Sequence, residues 1–164
     1  MKKIFLKILL VLIVSSSNGL AGDFKTNIGN FAFSDNKKHA GMLDMSYNFT
    51  ENEFQTILGT IKPKAGVLVT NRLSSMAYAG FYTDYKLSIF KITPSFTPGL
   101  YSSGEGKRGK DLGSIFQFKS QINIGLDFSK LSFLNLGYSH ISNAGIGENN
   151  PGANTYLISV KQNF

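Results

Sequence analysis

Apolar residues recur at every second position through most of this chain, and that period fits strands rather than helices. Leu43, Met45, Tyr47 and Phe49 interleave with Asp44, Ser46 and Asn48. Phe90, Ile92, Pro94, Phe96, Pro98 and Leu100 interleave with Lys91, Thr93, Ser95, Thr97 and Gly99. Phe116, Phe118, Ile122, Ile124, Leu126 and Phe128 interleave with Gln117, Lys119, Gln121, Asn123 and Asp127. Successive side chains of a strand point to opposite faces, so each run has an apolar and a polar face. Turn-forming residues separate the runs and predict eight strands, over 24–34, 39–49, 54–69, 75–84, 87–101, 114–127, 131–142 and 154–164. Pro94 and Pro98 each delete a ladder donor, which predicts a bulge or an early strand end there.

The first 21 residues do not share this pattern. Lys2, Lys3 and Lys7 precede an uninterrupted apolar run, Ile8 to Val14, then polar residues and Gly19-Leu20-Ala21. This order predicts a secretory signal peptide cut after Ala21 and a mature domain over 22–164. The competing reading, a membrane anchor, needs an apolar run of about 20 residues, far longer than this one. The charge of +7 then reads differently. Without three of its 17 basic residues, the remainder carries 14 basic against 10 acidic groups. A nucleic-acid-binding reading loses both its charge and its compartment. The absence of Cys excludes a disulfide scaffold, a thiolate metal site and a cysteine nucleophile. Two His leave little for an imidazole-rich metal centre.

Alternation alone does not say which face is inside. A soluble barrel turns its apolar face inward and an outer-membrane barrel turns it outward. Export, polar faces that mix Asp, Lys, Gln and Asn, and a final strand with Tyr156, Ile158, Val160 and Phe164 favour the membrane form. The connections agree. With the N-terminus in the periplasm, the turns 50–53, 84–86 and 128–130 are periplasmic, and the long connections 102–113 and 143–153 lie outside. The expected fold is all-β: an eight-stranded antiparallel up-and-down outer-membrane β-barrel. A soluble periplasmic barrel or sandwich is the competing arrangement. A porin is not expected, because side chains fill the lumen of an eight-stranded barrel. Lys91, Lys119, Asp44 and Asp127 read as ion pairs within that lumen.

One constellation carries chemistry. His140 and Ser142 share a strand face with Leu134, Leu136 and Tyr138. If that face meets lipid, an imidazole and a hydroxyl project from the outer wall near the outer leaflet. A Ser activated by a His is the nucleophile–base pair of acyl transfer, and its ester would come from the membrane itself. The plainer reading is a polar pair snorkelling to water at the rim.

The run His140-Ile141-Ser142-Asn143-Ala144-Gly145, with Asn150-Pro151-Gly152 and Tyr156, resembles the signature of the lipid A 3-O-deacylase (PagL-type) family. So does Leu112-Gly113-Ser114 followed by Phe118 and Gly125. The resemblance covers the C-terminal third closely, and the mature chain in length and architecture. It implies hydrolysis of the ester at the 3-position of lipid A, without a cofactor or metal, by an eight-stranded outer-membrane barrel. It also implies His140 as general base, Ser142 as nucleophile and backbone donors around Asn143 and Gly145 as the oxyanion hole. One position departs: where the family has its acid, a Glu two residues before the Tyr, this chain has Asn154. Asn154 faces the same way as His140 by parity, and Glu148 lies in the same loop. Both are candidate partners of the imidazole.

In the other long loop, Lys107, Arg108 and Lys110 are candidates to pair with lipid A phosphates, or form a solvated charge cluster. Gly104-Glu105-Gly106 reads as a flexible loop, and His39 has no evident partner. The expected partners are therefore lipid A or lipopolysaccharide as substrate and the outer membrane as solvent, with no nucleic acid. The alternative is a catalytically weak or inactive structural barrel that presents its loops.

Overall fold

A computed structural model of the chain describes residues 22–163 apart from 58, 105–107 and 127–133. The predicted leader, the 128–130 turn, Asp127 and Lys107 lie outside the described residues. Ten strands follow in order: β1 (Gly22–Phe31), β2 (Ala40–Phe49), β3 (Phe54–Thr56), β4 (Gly59–Thr70), β5 (Ser75–Thr83), β6 (Tyr85–Leu87), β7 (Phe90–Ser102), β8 (Phe116–Leu126), β9 (Leu134–Ser142) and β10 (Ala153–Asn163).

Eight of them are long, and they close a ring. Each long strand pairs antiparallel with the next long strand along the chain, from β1 and β2 round to β9 and β10. β10 then pairs with β1, from Asp23↔Asn163 to Phe31↔Thr155. The fold is thus the closed eight-stranded up-and-down barrel that the alternation predicts, and closure removes the exposed sheet edge. The two short strands fold back at one end: β3 on β4 (Phe54↔Ile61) and β6 on β7 (Tyr85↔Ile92). The single strand expected over 54–69 is therefore two.

The expectation of a bulge or early end at the prolines needs correction. β7 runs through Pro94 and Pro98, and its register with β8 is unbroken from Phe90↔Leu126 to Leu100↔Phe116. On its other side the pairing lapses between Gly99 and Phe96, and again between Ser95 and Ile92. Each proline thus turns its missing donor toward the same neighbour, and the ladder to β8 is spared.

The burial pattern is the inverse of a soluble protein's. Leu136 is 64% exposed and Leu100 62%, whereas Lys119 is 1% and Asp44 0% exposed. Apolar side chains face out and charged ones face the bore. Across the ring, Lys119 on β8 reaches Asp44 on β2 in a direct ion pair between opposite walls. Tyr78 donates its hydroxyl to Asp44 at 2.6 Å, and Asn27 donates to the same carboxylate at 3.2 Å. Gly66, paired with Tyr78, makes this possible: a Cβ there would lie 2.6 Å from the tyrosine hydroxyl. Lys91 finds Asp84 at 2.9 Å. Toward the end that carries the long loops the bore becomes apolar, with Phe31, Met42, Leu68, Met76, Tyr101, Ile141 and Leu157 forming a buried cluster. The Phe31 and Tyr101 rings stack across the bore, with centroids 6.2 Å apart.

Asp44 is the hub of the polar layer. Asp44→Ala leaves Lys119, Tyr78 and Asn27 without their shared acceptor, and breaking a buried ion pair in this way costs about 3–5 kcal/mol. Denaturant unfolding in detergent micelles should show that loss. Asp44→Leu combined with Lys119→Met should recover most of it. A single variant within about 1 kcal/mol of the parent would show that the bore network contributes little to stability.

Candidate active site

β9 ends at Ser142, and residues 143–152 return the chain to β10 at Ala153. Side chains on β9 alternate strictly: Ser139 and Ile141 are fully buried in the bore, whereas Tyr138 and His140 are exposed on the outer wall. Ser142 continues that outward face, half-buried by the loop that follows it. His140 sits between Ser120 of β8 and Asn154 of β10 in the register. The wall around it is lipid-like: Leu136, Ile122 and Tyr156 are all well exposed.

The imidazole has one fixed partner. His140 Nδ1 lies 2.7 Å from Asn154 Oδ1. A carbonyl oxygen only accepts, so Nδ1 is the donor in this contact, and in the neutral ring Nε2 then carries the free lone pair. Asn154, rather than Glu148, is thus the residue brought to His140. Glu148 stands exposed in the loop. Ser142 and His140 are co-facial and about 6.7 Å apart along the strand by the strand rise. They are not hydrogen-bonded to each other among the described residues. Gly152, at a φ of 58°, leaves room beside the ring: a Cβ there would lie 3.1 Å from His140 Cε1. A side chain at 152 would crowd the ring on its Cε1 and Nε2 side.

The loop is built around the side chain of Asn143, which is fully buried. Its amide donates to Leu112 O at 3.1 Å and to Asn149 O at 2.7 Å. Its Oδ1 accepts the Gly145 N–H at 2.9 Å, and its own N–H donates to Asn150 Oδ1 at 3.1 Å. Gly113, at a φ of 77°, lets the other loop come close, since a Cβ there would meet Asn149 O at 2.0 Å. Leu112-Gly113-Ser114 and the 143–152 segment, distant in sequence, therefore form one unit behind Ser142. The two amides named as oxyanion donors are each capped by a side-chain oxygen. Between them lies Ala144, in the left-handed region at a φ of 54°. Its N–H has no partner among the described residues.

The family model for lipid A 3-O-deacylase (PagL) matches residues 30–163. The chain belongs to the lipid A 3-O-deacylase (PagL) family. A lipid A deacylase PagL of Bordetella bronchiseptica is 40% identical over 55 residues, an alignment covering 34% of this chain and 31% of that protein. This chain thus aligns with about a third of that relative's length. The crystal structure of the outer membrane enzyme PagL superposes with a TM-score of 0.62 over 87% of this chain and 99% of that one, at 21% identity. At that identity the likeness speaks for the barrel.

In this PagL-family chain the loop charges are already partly engaged. Lys110 Nζ lies 2.7 Å from Asp35 Oδ2, which ties the 103–115 loop to the loop after β1. The lysine hydrogen bond holds the Asp35 carboxyl below its ordinary range. That tie is therefore complete at neutral pH and is lost as pH falls through the depressed value. Of the three candidate phosphate ligands, Lys110 is occupied, Arg108 is exposed and Lys107 is outside the described residues. Two residues of the polar patch went unassigned in the sequence reading. Ser120 is the register partner of His140, and Tyr138 donates its hydroxyl to Asn154 Oδ1 at 2.8 Å. Parity along β9 had already put Tyr138 on this face, but not within reach of Asn154. Aromatic rings flank the patch on both sides: Tyr156 stacked on Phe33 at 4.1 Å, and Phe118 against Phe116 at 5.1 Å and Phe96 at 5.6 Å.

Proposed function

We propose that this chain is an outer-membrane esterase that removes the 3-O-linked hydroxyacyl chain from lipid A of lipopolysaccharide. Residues 1–21 serve as its cleaved export signal. The observation that carries the reading is the outward projection of Ser142, His140 and Asn154 from a hydrophobic wall beneath the loops. An ionisable side chain on such a wall is costly to keep, and function is the usual reason for keeping it. A lipid substrate reaches this patch by lateral diffusion, without leaving the bilayer.

In the reaction, Ser142 Oγ attacks the ester carbonyl while His140 Nε2 takes its proton. Asn154 Oδ1 accepts the Nδ1–H, which orients the ring. The tetrahedral oxyanion is met by N–H donors of the 143–145 turn, each worth about 3 kcal/mol when well aimed. The open amide of Ala144 is ready for this role. The Asn143 and Gly145 amides take part if they exchange their side-chain acceptors for the oxyanion. His140 then returns the proton to the departing sugar oxygen, leaving the hydroxyacyl chain on Ser142. Water, activated by the same imidazole, releases it. The flanking aromatic rings offer apolar contact to the acyl chains, and Arg108, exposed in the 103–115 loop, is a cation available to a phosphate.

The test is direct. Purified barrel is mixed with lipid A in detergent micelles, and the lipid is examined by mass spectrometry. Loss of one hydroxyacyl chain is expected, and a lipid-like fluorophosphonate should label Ser142. Intact lipid A from a folded barrel, or label on another residue, would overturn the reading. One observation favours a second reading, a structural barrel that presents its loops: an amide stands where the family has a carboxylate.

A further inference from the structure

Asn154 Oδ1 receives two hydrogen bonds, from His140 Nδ1 at 2.7 Å and from the Tyr138 hydroxyl at 2.8 Å. That sharing matters because a carboxamide has two unlike ends. Turned one way, it presents an acceptor to the imidazole and keeps the proton on Nδ1. Turned the other way, it presents NH2, the imidazole must accept at Nδ1, and its proton moves to Nε2. The nitrogen that should act as base would then be blocked. A carboxylate has no such ambiguity, since both of its oxygens accept.

We infer that Tyr138 is a positioning residue that holds the Asn154 carbonyl toward His140, so that an amide can serve where a carboxylate normally would. The inference rests on the Ser142–His140 reading above. A phenol O–H on an apolar wall needs an acceptor, and Asn154 Oδ1 is the one it has. Turning the amide round would leave that donor unpaired. The tyrosine is itself held. Tyr138 is the register partner of Tyr156, the two ring centroids lie 5.7 Å apart, and Tyr156 stacks on Phe33. The opposite neighbour of His140, Ser120, makes no hydrogen bond to the imidazole among the described residues, so the Tyr138–Asn154 pair alone selects the tautomer from the side.

Tyr138→Phe removes the hydroxyl and keeps the ring. Its first readout is the 15N spectrum of histidine-labelled barrel in detergent micelles, with His39→Gln in both samples so that His140 is the sole imidazole. The parent should show neutral His140 protonated at Nδ1, and Tyr138→Phe should move much of the population to the Nε2-protonated form. The second readout is kinetic. Tyr138→Phe should lower kcat about tenfold with KM little changed, the worth of one oriented hydrogen bond. In an Asn154→Glu background the same substitution should cost less than about twofold, since the carboxylate accepts whichever way it turns. A parent already protonated at Nε2, a tautomer ratio that Tyr138→Phe leaves unchanged, or an equal kinetic loss in both backgrounds would overturn the inference. The tautomer measurement does not depend on hydrolysis. A shifted tautomer in a barrel that releases no acyl chain therefore upholds the role of Tyr138 and removes the deacylase reading alone.

Discussion

Ser142→Ala should abolish acyl release, lowering kcat by about 10⁵-fold or more, as loss of the nucleophile does in serine hydrolases. The expected size follows from the covalent route: without Oγ no acyl-enzyme forms, and only binding and the oxyanion donors remain to help water. The change should leave the fold alone. Ser142 projects outward at the end of β9, where its backbone pairs with Phe118, and its hydroxyl makes no hydrogen bond among the described residues, so removing one oxygen should alter stability by less than about 0.5 kcal/mol. The measurement pairs the lipid A mass spectrum with the heat-dependent electrophoretic shift that reports a folded barrel. A Ser142→Ala protein that keeps within about tenfold of the parent rate would remove the serine from the mechanism, whatever the lipid product.

Asn154→Glu should act in the opposite direction and raise the rate by about 10²- to 10³-fold. In the proposed reaction Ser142 gives its proton to His140, whose Nδ1 lies 2.7 Å from Asn154 Oδ1 in the resting structure, and the ring becomes an imidazolium. An amide carbonyl orients that cation but lends it little charge. A carboxylate does both, and the reverse exchange in a serine protease costs about 10⁴-fold. The gain expected here is smaller because Tyr138 already fixes the amide. The sign with pH is defined. The gain needs an ionised carboxylate, so it should be full at neutral pH and fade as pH falls toward the ordinary glutamate value of about 4.3. Rates of the two proteins measured from acid to neutral should therefore diverge as pH rises. If both proteins leave lipid A intact while folded, the structural-barrel reading takes precedence.

Much of this molecule was legible along the chain, because the deciding properties were local. The period of two made eight strands, and parity put Leu136, Tyr138, His140 and Ser142 on one face without any knowledge of the ring. The signature around His140 and Ser142 was legible for the same reason, since two residues on one strand face need no third element to bring them together. Other features depended on neighbours. The prolines of β7 were expected to end or bulge the strand, yet both are absorbed because their missing donors face the side where pairing lapses. The separate short β3 and the short β6 hairpin arise where strand ends fold back on β4 and β7.

The sequence by itself determined the strand pattern, the two chemically distinct faces and the candidate nucleophile and base, because each of these follows from spacing within one segment. Strand register and ring closure decided the rest. Asp44 meets Lys119 and Asp35 meets Lys110 across 75 residues of chain in each case, and Lys91 meets Asp84 where the hairpin turns back. The choice of Asn154 over Glu148 as partner of the imidazole, and the arrival of Tyr138 at the same oxygen, depend on the register of β9 against β10. An alternating pattern is symmetric between its two faces. What breaks that symmetry is closure itself, which leaves a bore too narrow for anything but side chains that can pair with one another, and an outer wall whose apolar residues are left for lipid.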